Sequence, residues 1–129
     1  MCPVKPLLAA LLFVASPALA VDVPSGQPLD LHEVLVDRVE SETWIRFRFI
    51  APDITRDGDA MDYDAAAGDM MHLCTELALP YIQHHALAGE VIVISLADRA
   101  TEFGIPDPEA TQFFEAFRPV DNTCIWEDL

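Results

Sequence analysis

The cysteines constrain this chain more tightly than any other feature. Three occur in 129 residues, at positions 2, 74 and 124, and the first belongs to a segment that reads as a secretory leader. That leader has a short positive start with Lys5, an apolar run over residues 7–15, and Ala18-Leu19-Ala20 as small residues of the kind signal peptidase reads. The run is too short for a permanent transmembrane anchor. Cys2 precedes the run, so no cysteine stands where lipid attachment would need one. Residues 1–20 are therefore expected to be removed. Residues 21–129 are left as one small domain, periplasmic or secreted, with no stable membrane insertion after cleavage. An oxidising compartment then favours a Cys74–Cys124 disulfide. Closing a loop of about 50 residues contributes ~4 kcal/mol on the chain-entropy account.

Two strands are predicted over residues 31–36 and 43–50, the second carrying the alternation "IRFRF". Pairing Val36 with Ile45 puts Val34 opposite Phe47 and His32 opposite Phe49 on one face. Glu33 then lies opposite Arg48 and Leu35 opposite Arg46 on the other, with Trp44 nearby. A helix follows, capped by Asp62. Its inward face is expected to carry Tyr63, Ala67, Met70, Cys74 and Leu77, with Pro80 ending or kinking it. "VIVIS", residues 91–95, is a continuous β-branched run suited to a central strand covered on both faces. "DPEATQFFEAFRP" opens like a helix, but the alternation through Phe113, Glu115 and Phe117 favours a strand over 107–118. "VDNT" turns the chain into a last strand bearing Cys124. The expected fold class is α+β: an antiparallel sheet of about five strands with one main helix packed on one face (ββαβββ), stapled by the disulfide.

The stretches "ETWIRFRF", "VIVISLADR", "EFG", "DPEATQFFEAFRP" and "CIWE" resemble an uncharacterised family of small exported alphaproteobacterial proteins, a domain of unknown function. The resemblance implies a small exported single-domain protein, and no cofactor or catalytic residue is carried over from it.

Charge excludes one class of partner. Without Lys5 the chain holds six arginines against 22 acids, and 6 − 22 = −16. Contacts to nucleic acid need clustered cations, so a polyanionic partner is not expected. The stretch "DITRDGDAMDYD", residues 53–64, places Asp53, Asp57, Asp59 and Asp64 near calcium-loop positions one, five, seven and twelve, with Gly58 sixth. Met61 at the ninth position, Asp rather than Glu at the twelfth and a preceding strand weigh against calcium. A turn at Asp57-Gly58 and a helix cap at Asp62 account for the same residues. His72, His84 and His85 form no metal-ligand spacing, since His72 and Cys74 project in nearly opposite directions from a helix. Ser95 precedes Asp98 without the glycine elbow of a nucleophile, and Asp98 is better read as a strand-end ion pair with Arg99.

One helix covers only one side of such a sheet, which turns attention to Trp44, Arg46 and Arg48 on the other side. Trp with Arg is the pairing enriched at binding hot spots. The expected function is a non-catalytic binding module for a protein or small polar ligand, using an open patch around these three residues. The alternative is an exported hydrolase or metal-dependent enzyme using Ser95 and Asp98 or the histidines. Ordinary solvated ion pairs, Glu33–Arg48 and Asp37–Arg46, explain the same face without a ligand.

Overall fold

A computed structural model describes residues 19–56 and 61–128. The leader expected over residues 1–20 thus lies almost wholly outside the described residues, as do Asp57, Gly58 and Asp59 of the acidic loop. Six strands lie side by side in chain order: β1 (Leu19–Ala20), β2 (Asp30–Val39), β3 (Glu42–Ile50), β4 (Val91–Ala97), β5 (Gln112–Val120) and β6 (Thr123–Glu127). The five longer strands are those read from the sequence. The two-residue β1 adds a short edge against Leu31 and Asp30.

The sheet is mostly antiparallel, with one exception that positions everything else. Strand β4 runs parallel to β3, Ile45 facing Ile92 and Phe47 facing Ile94. The helical segment causes this, because a crossover returns the chain to the end where β3 began, and a strand starting there points the same way. The loops that follow β3 and β4 therefore leave from the same end of the sheet.

The helical segment is one rod in three parts: α1 (Tyr63–Leu73), a π-helical stretch (Cys74–Ala78) and α2 (Leu79–His84). Asp62 caps it, its carboxylate accepting from the Ala65 N–H at 3.1 Å. Pro80 does not end the rod. The Leu79 N–H donates to the Cys74 carbonyl five residues back, and the widened turn absorbs a residue that has no N–H of its own. The inward face also differs from the expected one: Ala66, Asp69, Met70, Leu73 and Cys74 are buried, while Tyr63 is exposed and Ala67 only half-buried. The rotation puts Asp69 inside, where its carboxylate accepts from the Ser25 N–H, the Ser25 hydroxyl and the Gln27 amide. A buried carboxylate with that many donors is solvated by protein rather than water. It also ties residues 25–27 to the rod.

Alternation sorts the sheet's side chains into two faces. Ile45, Phe47, Phe49, Ile92, Ile94, Leu96 and Phe117 meet the rod and form the core. Phe47 is fully buried and contacts Tyr81 edge to face, with ring centroids 5.4 Å apart. Cys74 and Cys124 are joined, their Cα atoms 6.3 Å apart, so the rod is bonded to the edge strand β6. The expected β2–β3 register holds from Val36–Ile45 through Glu33–Arg48. It then shifts: Leu31, not His32, faces Phe49. The bulge leaves the polar His32 exposed and lets Leu31 pack against the core, which an unbroken pleat would prevent. The strand expected over 107–118 starts only at Gln112, and residues 98–111 form a long loop. Asp121 and Asn122 both take positive φ (51° and 64°) in the tight turn between β5 and β6, a conformation these two residue types tolerate well.

Candidate functional site

The face of the sheet away from the rod carries Glu33, Leu35 and Asp37 from β2, and Trp44, Arg46 and Arg48 from β3. Strand β4 adds Val93 and Ser95, and β5 adds Gln112 and Phe114, following the strand registers. It is not the open patch expected. Loop 98–111 folds back over it and leaves a cleft of about 530 Å³, within the range of small-molecule sites. Arg46, Arg48, Val93 and Ser95 lie on the sheet side, and Thr101, Phe103 and Ile105 on the loop side.

Several contacts hold the loop in place. At its base the Asp98 N–H donates to the Thr111 carbonyl, and the Asp98 carboxylate accepts from the Thr111 N–H at 3.1 Å. Arg56 Nη2 donates to the Pro108 and Ala110 carbonyls. Over the sheet, Arg48 Nη2 donates to both the carbonyl and the hydroxyl of Thr101, at 3.1 and 2.8 Å. The Phe103 ring lies 5.0 Å from the Arg46 guanidinium and 5.6 Å from that of Arg48, within cation–π range.

Both guanidiniums are also paired on their far side by β2. Arg48 Nη1 meets Glu33, and Arg46 donates from Nε and Nη2 to the same Asp37 oxygen, at 3.3 and 3.1 Å. These are the two cross-strand pairs expected from the register. The Arg48 side chain is only 8 % exposed and that of Arg46 19 %, so each is fixed rather than loosely solvated. Trp44 shares the face but does not line the cleft. Its ring lies 5.1 Å from the Arg46 guanidinium and packs against Val91, Val93 and Ala116, with its indole N–H buried and unpartnered among the described residues.

The cleft's apolar rim consists of exposed residues. Phe103, Ile105 and Phe114 are 46 %, 59 % and 60 % exposed, three large apolar side chains around one concavity. Sequence reasoning missed all three. Phe114 was recoverable, since the alternation that places Phe113 and Phe117 inward places Phe114 outward. Phe103 and Ile105 were not, because nothing in "TEFGIPDPE" tells which way an irregular loop folds.

Of the residues considered for catalysis, Ser95 lies in the cleft. The histidines of the rod do not accompany it. His85 donates from Nδ1 to the Tyr81 carbonyl and stacks on the Tyr81 ring, and Tyr81 packs on Phe47, on the opposite side of the sheet. His72 and His84 belong to the same rod. Asp98 is taken up by Arg99 at 3.1 Å and by Thr111. Among the described residues no group of three or more His, Cys, Asp or Glu side chains is placed to hold a metal ion. Asp53 and Asp64, the calcium-loop residues that are described, are both exposed, Asp64 in the first turn of α1.

The hydrogen bond from Arg99 holds the Asp98 carboxyl below the ordinary Asp value of 3.8; burial opposes this shift and the Thr111 N–H adds to it. With the folded value depressed, the stabilisation of the loop base is complete above 3.8 and is lost as pH falls through the lower folded value. A carboxyl-carbon NMR titration should place the Asp98 midpoint below 3.8, and Arg99→Ala should raise it. A midpoint at or above 3.8 in the unmodified protein would contradict the clamp.

Residues 7–129 match a protein family described as a family of unknown function, DUF6497. The chain belongs to DUF6497. No curated protein and no solved structure matches it. The resemblance carried by "ETWIRFRF" and "VIVISLADR" is thus to a real family, and this DUF6497 member has the predicted disulfide and the α+β layering. No helix among its described residues is long and apolar enough to cross a membrane, and a disulfide is compatible with an oxidising compartment.

Proposed function

We propose that this DUF6497 member is an exported, non-catalytic binding module that holds a ligand in the cleft between the outer sheet face and loop 98–111. One observation carries the proposal: Arg46 and Arg48, fixed by β2 carboxylates, share a single concavity with the exposed rings of Phe103 and Phe114. Apolar walls with a few placed polar groups are the usual make-up of small-molecule sites. Phe114 and the outer part of Phe103, whose ring also meets Arg46 and Arg48, expose apolar surface to this concavity. Ser95 alone keeps the hydrolase reading in view, and a serine to which no base is hydrogen-bonded among the described residues is a hydrogen-bonding group rather than an activated nucleophile.

Export after cleavage at Ala20 is compatible with the core. Val21 donates its N–H to the Leu29 carbonyl and packs inward, so removal of residues 1–20 takes away β1 but not the layer beneath the rod.

Native mass spectrometry tests the site. Purified protein incubated with a bacterial small-molecule extract should retain a non-covalent ligand. Ser95→Phe, which fills the cleft from its floor, should lose it while keeping the unmodified protein's circular dichroism spectrum. Equal retention by the variant, or retention by neither protein, would contradict the proposal.

A further inference from the structure

The charge of the ligand follows from how the two guanidiniums are engaged. Two cations in a cleft suggest an anion at first sight, but Glu33 and Asp37 already neutralise them, and Glu102 stands at the opening. At physiological ionic strength fields decay within about 8 Å, so this local count, two positive against two or three negative, outweighs any distant charge. The rest of the chain, acidic throughout, adds no attraction for an anion. A cationic ligand fares no better. It would pass Glu102 only to meet the two guanidiniums, and Glu33 and Asp37, already engaged by them, are not part of the cleft lining.

What remains on the cleft side is hydrogen-bond donors without net charge. Both Arg46–Asp37 contacts come from Nε and Nη2, and among the described residues no acceptor meets Arg46 Nη1. The Ser95 hydroxyl and the Gln112 amide line the same space. We infer that the cleft takes an uncharged molecule with an apolar body and a hydrogen-bond-accepting head, of the amide, ester or ketone class. The apolar body lies against Phe103, Ile105 and Phe114, and the head accepts from Arg46 and Ser95. The inference rests on the cleft being the ligand site.

Three probes of equal chain length separate the alternatives: octanamide, octanoate and octylammonium, each titrated at pH 7 into the full-length ¹⁵N-labelled protein. Octanamide should shift the amide resonances of Ser95, Phe103 and Phe114 and bind at least about tenfold more tightly than either charged probe. Asp37→Asn removes one neutralising carboxylate at a side chain 38 % exposed, while the amide oxygen can still accept from Arg46. The substitution should raise the ratio of octanoate to octanamide affinity by about tenfold. If octanoate or octylammonium moves the same amides as tightly as octanamide, the charge inference is wrong and the cleft stands. If no probe moves them, or the shifts fall elsewhere, the cleft itself is not the site.

Discussion

Replacing both Cys74 and Cys124 by alanine is expected to cost about 4 kcal/mol of stability, chiefly by freeing the unfolded chain. The bond closes a loop of 50 residues and joins a fully buried position on the rod to the outermost strand of the sheet. Both links matter. Among the described residues strand β6 pairs on one side only, with β5, and it has five residues, so its hydrogen bonds alone hold it weakly. At roughly 4–8 °C per kcal/mol for a domain of this size, the melting temperature should fall by about 15–30 °C. Urea unfolding should show a lower midpoint together with a larger m-value, because the uncrosslinked denatured chain exposes more surface. A loss under about 1 kcal/mol would mean that the covalent link adds little to packing already sufficient, against the chain-entropy account. The cleft lies on the other face of the sheet and should keep its ligand below the new melting point.

Phe47→Ala should be nearly as damaging, at about 3–5 kcal/mol, whereas Arg46→Ala next to it should cost no more than about 1 kcal/mol. Neighbours in a strand point to opposite faces. Phe47 fills the space between β3 and the rod, against Tyr81, and its removal leaves a cavity that the disulfide-bonded rod cannot easily close. Arg46 loses a pair with Asp37 that remains partly open to water and its contacts with Trp44 and Phe103, and it leaves no cavity beneath the rod. Chemical denaturation of the two variants side by side checks the layering. Similar losses for both would mean that the two faces are not divided as described.

That division was legible in the sequence because period-two alternation is strong in "IRFRF" and because continuous β-branched "VIVIS" fits only a strand covered on both sides. The disulfide was legible from cysteine arithmetic once residues 1–20 were set aside. Three things were not. The parallel β3–β4 pair depends on where the crossover sets the chain down, and local pattern does not encode that. The helix face was misjudged by about one position because Asp69 reads as polar until its donors, Ser25 and Gln27, are known to come from 44 and 42 residues away. At the candidate site, Arg46 and Arg48 were found through strand register, but their roof was not. Loop 98–111 is held by Arg48–Thr101, Arg56–Pro108 and Asp98–Thr111 contacts, most of them to backbone carbonyls that carry no sequence signature.

The cleft is tested most directly by locating a bound molecule. Chemical-shift mapping with the ligand retained from extract should confine the perturbations to Arg46, Arg48, Ser95, residues 101–106 and Phe114, and Ser95→Phe should abolish them. Perturbations centred instead on the β6 edge or on the rod around His84 and His85, and undiminished in that variant, would show that the outer face is an ordinary solvated surface and that the protein works elsewhere.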